Sequence, residues 1–212
     1  MKVAILGSGD VGKTLAGGFI KHGHEVMIAT SEPAKLSDWG RQHAKARIGS
    51  FTDAAQFGEL AVLAVKGAAA SDVLRAIGAN NLASKIVIDA TNPITEAPPV
   101  NGVLQFFTSL NESLMERLQK EFQDLRCVKA FNSVGHGRMV NPEYAGGKPT
   151  MFICGNDRAA KETVIRILDQ FGWETADMGQ VESARAIEPL CMLCCIRGFL
   201  NNEWMHAFKL LK

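Results

Sequence analysis

Lys2-Val3-Ala4-Ile5-Leu6-Gly7-Ser8-Gly9-Asp10-Val11-Gly12 carries a short apolar strand straight into G-x-G-x-x-G. That junction is the fingerprint of a dinucleotide pocket. Gly7 permits the tight turn off the strand, Gly9 lets the main chain approach a pyrophosphate, and Gly12 lets the next helix lie close to the sheet. The N-terminus of that helix then faces the anion. Residues 16–21 read as helix and 25–30 as a second strand, which completes the context the motif needs. A simple glycine turn would not require all three glycines.

The same alternation continues along the chain. Apolar runs at 3–6, 26–29, 60–65, 86–90, 127–131 and 151–154 are nearly continuous in Val, Ile, Leu and Ala, as strands buried on both faces must be. Between them, 13–21, 71–77, 112–122 and 158–171 place apolar residues three and four apart, the spacing of crossover helices. Strands alternating with helices predict a Rossmann-type, doubly wound α/β fold with a mainly parallel sheet. Residues 93–111, with Pro98-Pro99 and Asn101-Gly102, form the longest unpatterned stretch and are expected to make a mobile flap. Residues 183–212 read as helix after a break at Pro189, rich enough in Leu, Met, Phe and Trp to be buried on several sides. The expected organisation is a single nucleotide-binding domain over residues 1–212, with a core over 1–178 and a helical C-terminal segment over 179–212.

A chain of 212 residues can bury a sizeable core without staples. The formal charge of +1 offers no basic stripe, so neither nucleic acid nor an anionic membrane surface is the expected partner. A small molecule is. The apolar run after Met1-Lys2 stops at Gly7, too short for a signal-peptide core, and no stretch approaches a membrane span. Five cysteines, an odd number, argue for reduced thiols in a cytoplasm.

Cofactor choice turns on the end of the second strand, where an acidic residue would hold a ribose 2′-hydroxyl and repel a 2′-phosphate. Here it ends in Thr30-Ser31, with Lys35 one helical turn on, a set that suits a phosphate and favours NADP. Glu32 argues the other way, since it could reach the ribose diol and select NAD, leaving Lys35 as a solvated charge. Ligands of open α/β sheets lie beyond the carboxyl ends of the strands. Three further ends look built for contact: Val65-Lys66-Gly67, Ala90-Thr91-Asn92-Pro93, and Ala130-Phe131-Asn132-Ser133-Val134-Gly135. Asn92 and Asn132 each offer a donor and an acceptor to an amide such as a carboxamide, although Asn-Pro also simply turns a chain.

With these blocks together, the chain resembles the deazaflavin (coenzyme F420)-dependent NADP oxidoreductases. They are related to the cytosolic domains of transmembrane metalloreductases and to the nucleotide domain of pyrroline-5-carboxylate reductases. The resemblance rests on residues 7–12, on Thr91-Asn92-Pro93, on Lys129-Ala130-Phe131-Asn132-Ser133, and on Asp177-Met178-Gly179 leading to Glu182-Ser183-Ala184-Arg185 and Glu188-Pro189-Leu190. It implies NADP(H) along the first three blocks, with Gly7, Ser8, Gly9, Asp10, Val11, Gly12, Thr30, Ser31, Lys35, Val65, Lys66, Thr91, Asn92, Pro93, Ala130 and Asn132 as its contacts. It further implies a flat acceptor, coenzyme F420 or a flavin, against Ser133, Val134, Gly135 and His136. Two departures stand out: Ser31 occupies the usual place of an arginine, and Lys66 that of a proline.

The implied reaction is direct hydride transfer, in which the protein orients and shields. The residues agree, because no catalytic dyad emerges. Tyr144 and Lys148 have a dehydrogenase-like spacing, but Gly146-Gly147 oppose the helix that would align them. His136 could donate a proton or be a solvated loop residue; Lys66 could pair with an anionic substrate group or sit idle at the sheet edge. Cys191-x-x-Cys194-Cys195 lacks two further metal ligands and lies among apolar residues, so no metal is expected. The alternatives are a flavin or ferric reductase on the same face and a redox sensor without turnover. A homodimer through the C-terminal segment is also expected.

Overall fold

Successive side chains of a strand point to opposite faces, and the central strands here are apolar in both directions. Helices therefore have to cover both sides. The computed structural model, which describes residues 1–211, has β1 (Lys2–Leu6), α1 (Asp10–Lys21), β2 (Glu25–Ala29), α2 (Ser37–Gln42), β3 (Ala46–Gly49), α3 (Phe51–Phe57) and β4 (Leu60–Leu63) in its first part. Then follow α4 (Ala70–Ile77), α5 (Ala79–Leu82), β5 (Ile86–Asp89), α6 (Leu114–Glu121), β6 (Arg126–Lys129), β7 (Thr150–Ile153), α7 (Arg158–Gln170), β8 (Glu174–Asp177), α8 (Ala184–Ile187) and α9 (Pro189–Asn201). Six strands pair in parallel in the order β3-β2-β1-β4-β5-β6. The order reverses between β1 and β4, where a doubly wound sheet opens a crevice at its carboxyl edge. The parallel pair β7-β8 lies beyond β6, joined by one antiparallel bridge between Lys129 and Cys154.

Val3, Ile5, Val26, Ile28, Val62, Ile88 and Val128 face one way, onto Leu15 and Phe19 of α1 and Val164, Ile167 and Leu168 of α7. Ala4, Leu6, Ala61, Leu63, Val87 and Cys127 face the other way, onto Ala54 of α3, Leu74 and Ile77 of α4, and Leu118 of α6. The expected strands and crossover helices are all present, most within a residue or two of their expected ends.

Two expectations are corrected. Helix α9 starts at Pro189, which fits the first turn because its missing N–H has no intrahelical partner to lose there. The helix stops at Asn201, where Asn202 turns left-handed at φ 54°; the rest of the described tail is irregular and runs beside β7, with Thr150 N donating to Phe208 O. Burial of α9 is confined to a stripe at Cys191, Cys194 and Gly198, while Leu193, Phe199 and Leu200 are exposed. Residues 93–111 are also more regular than expected of a flap. Thr95 N donates to Gln105 O, Phe107 N to Pro93 O, and Val100 and Val103 exchange both backbone bonds.

Candidate functional site

The β1–α1 junction is shaped by close backbone approaches. Gly7 adopts φ +130°, and a Cβ there would lie 2.4 Å from Ala64 O; a Cβ on Gly12 would lie 2.1 Å from Gly7 O. Gly9 is different, because a Cβ there meets no protein atom within 4 Å. Gly9 is also the N-cap of α1, and no side chain caps the helix. With no capping side chain on them, the first amides of α1 carry the positive end of the helix dipole beside the open space at Gly9, an arrangement that fits a diphosphate.

Beside the junction, a cavity of about 280 Å³ is bounded by Gly7, Gly9, Thr30, Ser31, Lys35 and Lys66, among others. Thr30 is buried, and its Oγ1 accepts from Ser8 Oγ at 2.9 Å and from Glu32 N at 3.0 Å. These bonds fix the rim of the crevice. Ser31 is exposed. Lys35 is not the free cation that its spacing suggested: its Nζ lies 2.6 Å from Glu32 Oε1, with the two side chains 64% and 59% exposed. An ion pair so solvated contributes little, and a phosphate dianion can compete for the ammonium.

A second cleft of about 520 Å³ continues from the first across Val65 and Lys66, along the ends of β4 and β5 past Thr91, Asn92 and Thr95. Thr95 belongs to the wall of this cleft, and its Oγ1 is buried with no partner among the described residues. Lys66 Nζ stands 3.9 Å from Glu96 Oε1, and both side chains are over four-fifths exposed. Asn92 and Asn132 spend most of their amide groups on structure. Asn132 Nδ2 donates to Asn92 Oδ1 and Ile187 O, and Asn92 Nδ2 donates to Asn132 O. Asn132 Oδ1 alone has no partner among the described residues. Pro93 is buried beside them, and Ala130 lies in the core with its N–H donating to Asp89 O.

The block from Ser133 to His136 lies elsewhere. Ser133 and Val134 are buried, a Cβ on Gly135 would come within 2.9 Å of Trp204 O, and His136 is exposed at the start of a short 3-10 turn. None of the four lines either cleft. Tyr144 and Lys148 do not pair; Lys148 Nζ meets Asp169 Oδ1 at 3.0 Å. The thiols of Cys191 and Cys194 are buried, and Cys194 Sγ contacts His206 Nε2 at 3.5 Å. Burial pushes the thiols of Cys127 and Cys154 up to about 12, so both remain protonated.

Spacing did not assign any role to the most deeply buried charges. Lys129 Nζ lies 2.7 Å from Asp89 Oδ2 and 2.9 Å from Glu188 Oε1, and all three side chains are at most 2% exposed. Burial alone would push the ammonium down, but the two carboxylates outweigh it and raise it above its ordinary value. Glu188 also accepts from Leu114 N and Met115 N, capping the N-terminus of α6. The available signal was an Asp and a Lys directly after the buried apolar pairs Val87-Ile88 and Cys127-Val128. Burying charges in such places carries a large desolvation cost, which only partners can offset.

The family described as NADP oxidoreductase, coenzyme F420-dependent, matches residues 2–93. A crystal structure from Arthrobacter sp. FB24, provisionally assigned as an F420-dependent NADP reductase, superposes with a TM-score of 0.93 at 34% identity, covering 100% of both chains. The chain belongs to the coenzyme F420-dependent NADP oxidoreductase family. Within it, the F420-dependent NADP reductase of Methanothermobacter thermautotrophicus is 28% identical over 99% of this chain and 96% of its own. The rat metalloreductase STEAP3 is 29% identical over 89% of this chain. This family member spans only 36% of that metalloreductase's length. Among the described residues, no helix is long and apolar enough to cross a membrane.

Proposed function

We propose that the chain binds NADP(H) along the two joined clefts and exchanges a hydride between its nicotinamide and a flat heterocyclic acceptor of the deazaflavin type. The observation that carries this reading is the uncapped N-terminus of α1 under open space at Gly9, continuous through Val65 and Lys66 with the larger cleft. The amides of α1 would hold the diphosphate, and Thr30, Ser31 and Lys35 the ribose phosphate. Thr91, Asn92, Pro93 and Thr95 would wall the nicotinamide, whose C4 supplies the redox chemistry when it is bound. These walls would fix the ring and shield its reacting face; the hydride passes without a side chain taking a proton, and the one proton that completes the reduced acceptor comes from solvent at the open side of the cleft.

The open side of the larger cleft supports entry of the acceptor there better than at Ser133–His136, where Ser133 and Val134 are buried and the C-terminal tail lies against Gly135. The likeness to STEAP3 favours a second reading, a flavin or ferric reductase on the same face. Absorbance at 340 nm separates them. NADPH should be oxidised on addition of coenzyme F420. Oxidation with a flavin or ferric chelate but not with F420 would favour the second reading, and tight binding without oxidation by any acceptor would leave a sensor and overturn the enzyme.

A further inference from the structure

The deepest charges of the molecule lie directly beneath the wall of the larger cleft. Asp89 ends β5 and Lys129 ends β6, two neighbouring strands in register with each other, while Glu188 arrives from the turn before α9. The first two both grip Thr91, two residues beyond Asp89. Lys129 Nζ donates to Thr91 O at 2.9 Å, and Asp89 Oδ1 accepts from Thr91 N at 2.9 Å and Thr91 Oγ1 at 2.7 Å. Thr91 is thereby held at its amide, its carbonyl and its hydroxyl by a cluster with no access to water.

The grip extends one residue further. Asn92 is tied to Asn132 in both directions, and its carbonyl lies so close to Gly67 that a Cβ there would approach to 2.0 Å. Thr91, Asn92 and Gly67 all line the cleft. The Thr91–Asn92 wall of the cleft is therefore set by the triad, through hydrogen bonds to Thr91 and the Asn92–Asn132 pair next to it. The adenosine side, built from β1, β2 and α1, makes none of these contacts.

Such a cluster is costly to bury, and apolar residues of similar volume often stabilise a fold as well or better. A buried ion cluster fixes one geometry instead, because its charges tolerate few arrangements. We infer that Lys129, with Asp89 and Glu188, is a positioning residue for the nicotinamide end of the proposed cofactor: it locks Thr91 and Asn92 so that the ring is presented in one orientation. The inference rests on the proposed NADP(H) site.

The test compares whole cofactor with half of it. Calorimetry measures adenosine 2′,5′-bisphosphate and NADP+ against wild type and Lys129→Met, with denaturant unfolding as the check on folding. Should Lys129→Met fail to fold, Lys129→Met/Asp89→Asn/Glu188→Gln, which leaves no buried charge unpaired, is used. The bisphosphate should bind each protein within about twofold, NADP+ should bind the folded variant roughly tenfold more weakly, and NADPH turnover should fall by about ten- to a hundredfold. A folded variant that keeps both NADP+ affinity and turnover overturns the positioning role. Equal weakening of both ligands also overturns it, since the damage is then not confined to the nicotinamide end. A wild-type protein that binds neither ligand removes the cofactor site itself, and the inference with it.

Discussion

In the proposed function, Lys35 and Glu32 are the pair that would distinguish the two pyridine nucleotides. In the free protein they neutralise each other across an exposed 2.6 Å contact, so neither is committed to structure. A 2′-phosphate would draw Lys35 away and face Glu32 as a like charge. Lys35→Ala is therefore expected to weaken NADPH by about fivefold, roughly 1 kcal/mol, and NADH by less than about twofold. Glu32→Gln should act in the opposite direction and tighten NADPH. Fluorescence titration of both nucleotides checks this, and equal losses for both in Lys35→Ala would remove Lys35 from the phosphate site. Spacing along the chain revealed that Lys35 stood near the end of β2, but not that Glu32, three residues earlier, would reach it. Asn92 and Asn132 teach the same limit. Their amide chemistry was visible in the sequence, whereas their mutual bonds depend on β5 and β6 lying side by side.

Elements with a sharp apolar period were legible, and those at the edges were not. Strand β3, Ala-Arg-Ile-Gly, pairs on one side only and leaves Arg47 and Ile48 exposed, so it carries no apolar run. Strand β8, Glu-Thr-Ala-Asp, is equally weak, pairing only with β7 among the described residues. Helix α3 was not read from the sequence, because its signal is a reciprocal capping box of Ser50 and Asp53 that the apolar pattern alone passes over. Helix α7 is capped by Asp157, which accepts from Ala160 N at 2.7 Å and pairs with Arg126 at the start of β6. The Arg126 guanidinium, then the Ala160 amide, hold the Asp157 carboxyl down at about 2. A depressed carboxyl stabilises the fold above its unfolded value near 4 and loses that contribution as pH falls towards about 2. Arg126→Gln should cost about 0.5–1 kcal/mol at pH 7, a modest figure because the pair is one-third exposed. Urea unfolding at several pH values should show the gap to wild type closing as pH drops below 4. A gap independent of pH would mean that the pair contributes nothing through charge.

Across the molecule, the reversal of strand order between β1 and β4 is what turns separate loops into one crevice. Glycine spacing and the alternation of strands and helices made the sheet and the cradle readable in advance. The Lys129 cluster and the tail against Gly135 were not, because both depend on side chains and segments 40 or more residues apart. The stretch from Pro189 onward misled for a related reason: its apolar residues serve different surfaces, some packed inward on α9 and some exposed. What the whole arrangement presents to a ligand is main-chain amide under empty space, and one substitution addresses that alone. Gly9 has ordinary extended angles, φ −72° and ψ −176°, and room for a methyl group, so Gly9→Ala should unfold at the wild-type temperature. The methyl would stand where the proposed diphosphate would lie. Calorimetric titration of NADPH into Gly9→Ala should give affinity lower by about ten- to a hundredfold. Wild-type affinity in the folded variant would contradict a dinucleotide cradle at this helix.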